Sequence, residues 1–246
     1  MLFQIIIAFI FGLVIGSFLN VCIYRIPQNE SIVFGPSHCM KCKTELKWFE
    51  LFPLFSYIFL GGKCRTCRAH ISIRYPLIEL LNGVLYAIAF YRYKSIPQAA
   101  AIALFFSILI IISMIDLDTM LIPNRLVAAI FVLGIASIWV FPEVSIFSRL
   151  IGSVIISIPF LLIAIFTGGM GGGDVKLMFA AGFFLGSKSV VIAALIGIVI
   201  AAIFGIIIKI KTKKSKIPFG PYLSAGLAIA SLVGNAVADW YLSLII

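Results

Sequence analysis

The chain is poor in charge. Only 11% of its 246 residues are Asp, Glu, Lys or Arg, and acids are rarest, nine against nineteen basic residues. With 63% hydrophobic residues and a mean hydropathy of +1.20, so little charge excludes a soluble protein, because a soluble core could not hide that much apolar surface. The basic residues lack interleaved aromatic platforms, which argues against nucleic acid as a partner despite the net charge of +10. No basic residue precedes the first apolar segment and no small-residue cleavage site follows it, so a true span is expected there and not a removable signal peptide. No internal repeat or low-complexity tract stands out, and no glycine-rich nucleotide loop follows a strand-like run.

Long apolar runs fill the rest. A spanning helix needs roughly 20 mostly apolar residues, and candidates lie near 2–24, 76–91, 97–115, 125–141, 149–167, 175–186, 189–208 and 218–246. The expected fold class is therefore an all-α polytopic membrane protein of about eight transmembrane helices with a small cytoplasmic zinc-binding loop domain. The expected domains are a first helix at 1–25, a four-cysteine loop domain at 26–75 and a seven-helix membrane domain at 76–246. Pro76 is expected to open the second span and Pro218 the last. With both termini outside, the inner loops collect most basic residues, among them Arg25, Arg74, Arg125, Lys176 and the lysine run at 209–216. Arg92, Lys94, Arg149 and Lys188 are left to the outer loops. The lysine run is expected to anchor on anionic lipid head groups, and Arg25 to mark the membrane border.

The polar stretch 26–75 is too small to fold on a core of its own and needs a staple. Cys39 and Cys42 form one C-x2-C pair and Cys64 and Cys67 another, separated by residues 43–63. That spacing points to a tetrahedral four-cysteine zinc site, and reducing cytosol favours metal over disulfides. His38 is superfluous beside four cysteines, and Cys22, inside the first span, is expected to be a small packing residue.

The scarce acids carry the chemistry. Glu30, Glu45 and Glu50 belong to the polar loop, Glu143 to an outer loop and Asp239 to the last span; Glu79, Asp116, Asp118 and Asp174 sit near the inner boundary. A carboxylate in a span costs several kcal/mol, so its retention marks a functional site. Asp116 and Asp174 adjoin spans that both meet the inner face, where two carboxyls brought together share one proton. The anionic one deprotonates a water while the neutral one protonates the substrate carbonyl, as in an aspartyl protease. Asp118 points about 200° away from Asp116 on a helix and is expected to be a loop or capping residue. Gly171, Gly172 and Gly173 are expected to supply left-handed backbone and close approach for a substrate strand. Residues 175–186 give only about 18 Å of helix, which would recess Asp174 below the surface. Glu50 and Glu79 are expected to pair with basic groups of the loop such as Arg74, the alternative being that either orients a substrate amine or a cofactor.

Together GSFLNVCIYRIP at 16–27, the two C-x2-C pairs with GGKC at 61–64, RYPLIELL at 74–81, IDLDTMLIPN at 115–124, GMGGGDVKL at 169–177 and IPFGPYL at 217–223 resemble the prepilin peptidase family. These are type IV prepilin leader peptidases and N-methyltransferases. The resemblance covers nearly the whole chain and implies that Asp116 and Asp174 are catalytic. It also implies substrates that are prepilins or pseudopilins of type IV pili or type II secretion, cleaved after a glycine on the cytoplasmic side of the bacterial inner membrane. S-adenosylmethionine would then methylate the new amino terminus, at a site no residue pattern identifies. Many members carry Asp where this chain has Asn124. A proton- or cation-coupled transporter is the alternative, and it would need related halves or paired broken helices. A scaffold whose zinc loop docks partners would leave both aspartates unexplained.

Overall fold

The computed structural model describes residues 2–212 and 217–244. Residues 213–216 of the lysine run, with its proposed lipid anchor, and the last two residues of the final expected span lie outside the described residues. The chain is all-helical: α1 is Leu2–Arg25, α2 Phe55–Phe59, α3 Arg74–Arg92, α4 Ile96–Thr119, α5 Asn124–Val140, α6 Ile146–Ile155, α7 Ser157–Thr167, α8 Gly172–Leu185, α9 Ser187–Thr212 and α10 Gly220–Ser243. Among the described residues the only extended pairings are two isolated bridges in the loop between α1 and α3.

Among the described residues five helical stretches are long and apolar enough to cross a membrane: Leu2–Arg25, Ile96–Thr119, Ile146–Thr167, Ser187–Ile208 and Gly220–Ser243. With its family, reported below, this makes the chain an integral membrane protein. Helices stand at all eight expected segments, but α3, α5 and α8 do not meet that standard. At 17 and 14 residues α5 and α8 are too short, and α3 carries Arg74, Glu79 and Arg92. The segment expected at 149–167 is two helices. Pro159 cannot donate to the carbonyl of Ile155, and the helix breaks at Ile156. Two helix starts also differ from expectation: α3 begins at Arg74, before Pro76, and α10 at Gly220, after Pro218, with Pro221 in its first turn.

Two compact units divide the chain, Met1–Ile111 and Ile112–Ile246. In the first, α1 packs on α3 through bare backbone. A Cβ on Gly12 would lie 2.8 Å from Gly83 Cα, and one on Gly16 2.7 Å from Glu79 Cα. Lipid gives apolar side chains no reason to prefer each other, so this close approach of small residues is what joins the two helices. A buried polar chain adds to it: Asn82 donates to Gly12 O (2.7 Å) and accepts from Ser107 Oγ (2.9 Å), which lies 3.1 Å from Tyr86 Oη.

In the second unit Gly152 of α6 lies on Gly182 of α8, and Gly226 of α10 on Ala193 and Gly197 of α9, with no room for a Cβ at Gly152, Gly182 or Gly226. The unit also contains a charge that sequence reasoning misplaced. Arg149 is no outer-loop residue but wholly buried on α6. Its guanidinium donates to Ser137 O and Phe141 O at the end of α5, to Phe183 O and Phe184 O at the end of α8, to Val144 O and to Ser137 Oγ, over 2.7–3.3 Å. The last carbonyls of a helix have no partner within it and carry its negative end. One arginine thus completes two helix termini, and its five fixed donors suit the task better than a lysine ammonium would.

Candidate functional sites

The local frame of the metal loop is two copies of one hairpin, a repeat that the amino-acid pattern alone did not reveal. Cys39 N donates to Thr44 O (2.9 Å) and Lys43 N to Cys39 O (2.9 Å); Cys64 N donates to Ala69 O (2.8 Å) and Arg68 N to Cys64 O (3.0 Å). Lys43 and Arg68 both take the left-handed conformation, φ 57°, and each hairpin is closed by a bridge, His38 with Glu45 and Lys63 with His70. His38 pairs here through its backbone, and its side chain is not among the four that converge. The two turns aim their sulfurs at one point, with all four within 4.8 Å of each other. Cys39 and Cys67 sulfurs lie 3.9 Å apart, as do those of Cys42 and Cys64. A tetrahedral ion held by four thiolates at about 2.3 Å requires sulfurs about 3.8 Å apart, so these residues fit a metal ion.

Protonation favours the same conclusion. Hydrogen bonds with the side chain and backbone of Thr44 bring Cys42 down to about 6, and the amides of Cys67 and Thr66 lower Cys64. For Cys67 the Ala69 amide pulls the same way, but burial and the other three sulfurs outweigh it and push that thiol up to about 11. Thiols this close resist full ionisation unless a cation lies among them. Cys22, buried in α1, stands apart as a packing residue.

Around the hairpins, Glu50 takes a partner of the expected kind and Glu79 does not. Arg25, the last residue of α1, is buried and clamps the loop, donating to the carbonyls of Ser31, Phe34, Gly35 and Pro36 at 3.0–3.1 Å. Glu50 accepts the Lys47 amide (2.9 Å) and pairs with Arg65 (3.5 Å), a basic residue of the same loop. Arg65 in turn lies 5.2 Å from the centre of the Phe49 ring. Glu79 accepts the Leu54 amide (2.8 Å) and bonds Ser17.

In the second unit Asp116 sits in the last turns of α4 and Asp174 in the first turn of α8, third residue of the helix and not before it. Both are buried, at 5% and 7% exposure, and the charge of Asp116 acts on Asp174. The N-terminal end of α8 favours a negative group. Asp118, two residues on, is exposed. With 14 residues, α8 is about 21 Å long, still short of a bilayer core of roughly 30 Å.

The three glycines do different things, and none takes a positive φ; Gly168, which caps α7 at φ 61°, does. Gly171, extended at φ −74° and ψ 140°, has Asp174 Oδ2 so near that a Cβ would lie 3.1 Å from it. A Cβ on Gly173 would meet Ile122 Cβ at 2.9 Å, whereas Gly172 has nothing within 4 Å. Close approach, not left-handed backbone, is what Gly171 and Gly173 provide. Asn124 accepts from Lys176 Nζ (3.1 Å), joining IPN to DVK.

Sequence reasoning did not single out Gly220. Its amide donates to Asp116 Oδ2 at 2.9 Å, and a Cβ there would stand 2.7 Å from the same oxygen. The signal lay in the Phe-Gly-Pro of IPFGPYL: glycine permits the approach, and proline at the helix start leaves the preceding amide to an outside acceptor.

Residues 10–93 match the bacterial peptidase A24 N-terminal domain, and residues 103–206 the type IV leader peptidase family. A protein of Bacillus subtilis (strain 168) named prepilin leader peptidase/N-methyltransferase is 35% identical over 247 residues, covering 97% of this chain and 98% of the relative. Proteins of the same name from Neisseria gonorrhoeae and Pseudomonas aeruginosa are each 31% identical, over 98% and 94% of this chain and 96% and 91% of their own lengths. No solved structure matches.

Proposed function

This chain belongs to the type IV leader peptidase family, and we propose from that membership and from its two buried aspartates that it is a membrane aspartyl peptidase and N-methyltransferase. It cleaves the short basic leader from type IV prepilins or pseudopilins after a glycine, on the cytoplasmic side, and methylates the amino terminus so exposed. The observation that carries the reading is the pair of buried carboxylates in one unit, Asp116 bonded by the Gly220 amide and Asp174 at the head of α8, the charge of one acting on the other.

Such a pair holds one proton between its members. The anionic carboxylate takes a proton from water, whose oxygen attacks the scissile carbonyl, while the neutral one gives its proton to the carbonyl oxygen. The Gly220 bond fixes Asp116 Oδ2, leaving Oδ1 for the water or the substrate. Gly171 and Gly173 let the chain leading to Asp174 lie close to its neighbours.

The four cysteines hold zinc, the ion that suits a closed tetrahedral thiolate site. The methyl donor is S-adenosylmethionine, which supplies an electrophilic methyl group when bound. We assign eight spans to the apolar helices, α6 and α7 forming one, with both termini outside and the zinc loop in the cytoplasm, in a bacterial inner membrane. The domains are then 1–25, 26–75 and 76–246, the last carrying the peptidase. No observation favours a transporter.

The test is purified protein in detergent mixed with a prepilin. We expect release of the leader, and a loss of at least about a hundredfold for Asp116→Asn and for Asp174→Asn with helicity unchanged. Full activity in either variant would remove that residue from the mechanism.

A further inference from the structure

Peptide cleavage leaves one buried carboxylate without a task. Glu79 is 8% exposed, and its bonds are to the Leu54 amide and Ser17. No cation pairs with it among the described residues: Arg25 is committed to four carbonyls, and Arg65 to Glu50. A buried carboxylate is costly unless a positive group offsets it, and two bonds leave its oxygens acceptor capacity to spare. Glu79 also lines a cavity of about 630 Å³ in the first unit, within the roughly 300–1,000 Å³ typical of small-molecule sites. Ser17 and Tyr24 of α1, Tyr75 of α3 and Tyr57 of the loop line it as well.

We propose that this cavity is the binding site of the methyl donor, with Glu79 facing one of its positive groups. The proposal rests on the methyltransferase reading above. S-adenosylmethionine carries a sulfonium and an ammonium, which a carboxylate without a paired cation and nearby tyrosine rings attract, and a purine that a mostly apolar wall accommodates. Of the other charged residues that line the cavity, Glu50 and Arg65 pair with each other, Arg25 is held by four carbonyls and Lys41 is exposed. The same geometry gives the metal loop its purpose. Cys39 and Cys64 line the cavity, so the two hairpins form part of its wall and an ion that fixes them fixes its shape.

The experiment measures equilibrium binding of tritiated S-adenosylmethionine to the full-length protein in detergent, followed by photocrosslinking and peptide mapping. The crosslink is expected within residues 17–79. Glu79→Gln removes the negative charge and Ser17→Leu fills the cavity from α1. Each is expected to weaken binding at least about tenfold, the size of one lost charged hydrogen bond, while bound metal and melting temperature stay at wild-type values. Wild-type affinity in both variants, or a crosslink outside 17–79, would overturn the cavity assignment and leave the methyltransferase reading standing. A wild-type protein that releases leaders but neither binds the donor nor methylates would overturn both.

Discussion

The metal loop and the carboxylate pair are both clusters of groups that repel one another when ionised, yet they are assembled in opposite ways. The four sulfurs come from two copies of one short hairpin, each set by its own turn, with a left-handed residue after the second cysteine and an amide bond back to the first. The two aspartates come from different helices and owe their positions to neighbours distant in sequence, Gly220 for one and Ile122, packed against Gly173, for the other. Local assembly tolerates little error and needs a cation to finish it. Tertiary assembly needs bare backbone, since each carboxylate is placed by contacts that a single methyl group would disrupt.

The largest effect should come from breaking the cation-dependent side. Structural zinc contributes on the order of 10 kcal/mol to such a loop, so chelation, or Cys39→Ser with Cys64→Ser, should expose residues 26–73 to protease and empty the site by elemental analysis. Methylation should then fall further than leader cleavage. Equal loss of both would show that the loop supports the whole protein and erase the contrast.

Next comes the buried cation of the other unit. Arg149→Ala would leave carbonyls at the ends of α5 and α8 without donors, which should cost about 3–5 kcal/mol, visible as a lowered melting temperature with bound metal unchanged. A shift below about 1 kcal/mol would mean that water replaces the guanidinium.

A smaller and more local effect should follow from Gly220→Ala. The added methyl would collide with Asp116 Oδ2, and leader cleavage should fall by about 10- to 100-fold, because a displacement of about 1 Å in a reacting group has that consequence. Wild-type turnover would show that the Gly220 bond is dispensable. The finest comparison lies within the glycine run: Gly173→Ala should cost about 1–3 kcal/mol against Ile122, while Gly172→Ala, facing open space, should change stability by less than about 0.5 kcal/mol. Equal tolerance at both positions would mean that α8 enters the unit in another register.

What was legible in the sequence follows from this difference in assembly. The C-x2-C spacing exposed the metal loop because four ligands so near in sequence meet through turn geometry alone. Asp116 and Asp174 stood out because acids are scarce in an apolar chain; the helix angle set Asp116 and Asp118 on different sides of α4, and the fold buries Asp116 and exposes Asp118. Arg149 was misplaced for the opposite reason. A basic residue near a span end normally marks a loop, and nothing local tells that two helix ends 40 or so residues apart converge on it. Arg25 and Gly220 were hidden likewise: the carbonyls that one clamps, and the carboxylate that the other touches, are brought there by the fold.

Composition and period determined by themselves that this protein is helical and lives in lipid, since apolar runs without charge have no other stable environment. They also marked the groups too costly to keep without a use. Tertiary structure alone decided where the carboxylates stand, how Arg149 is satisfied and that Glu79 faces a cavity. These depend on backbone approaches of a few ångström between distant segments, and sequence spacing carries no record of such distances.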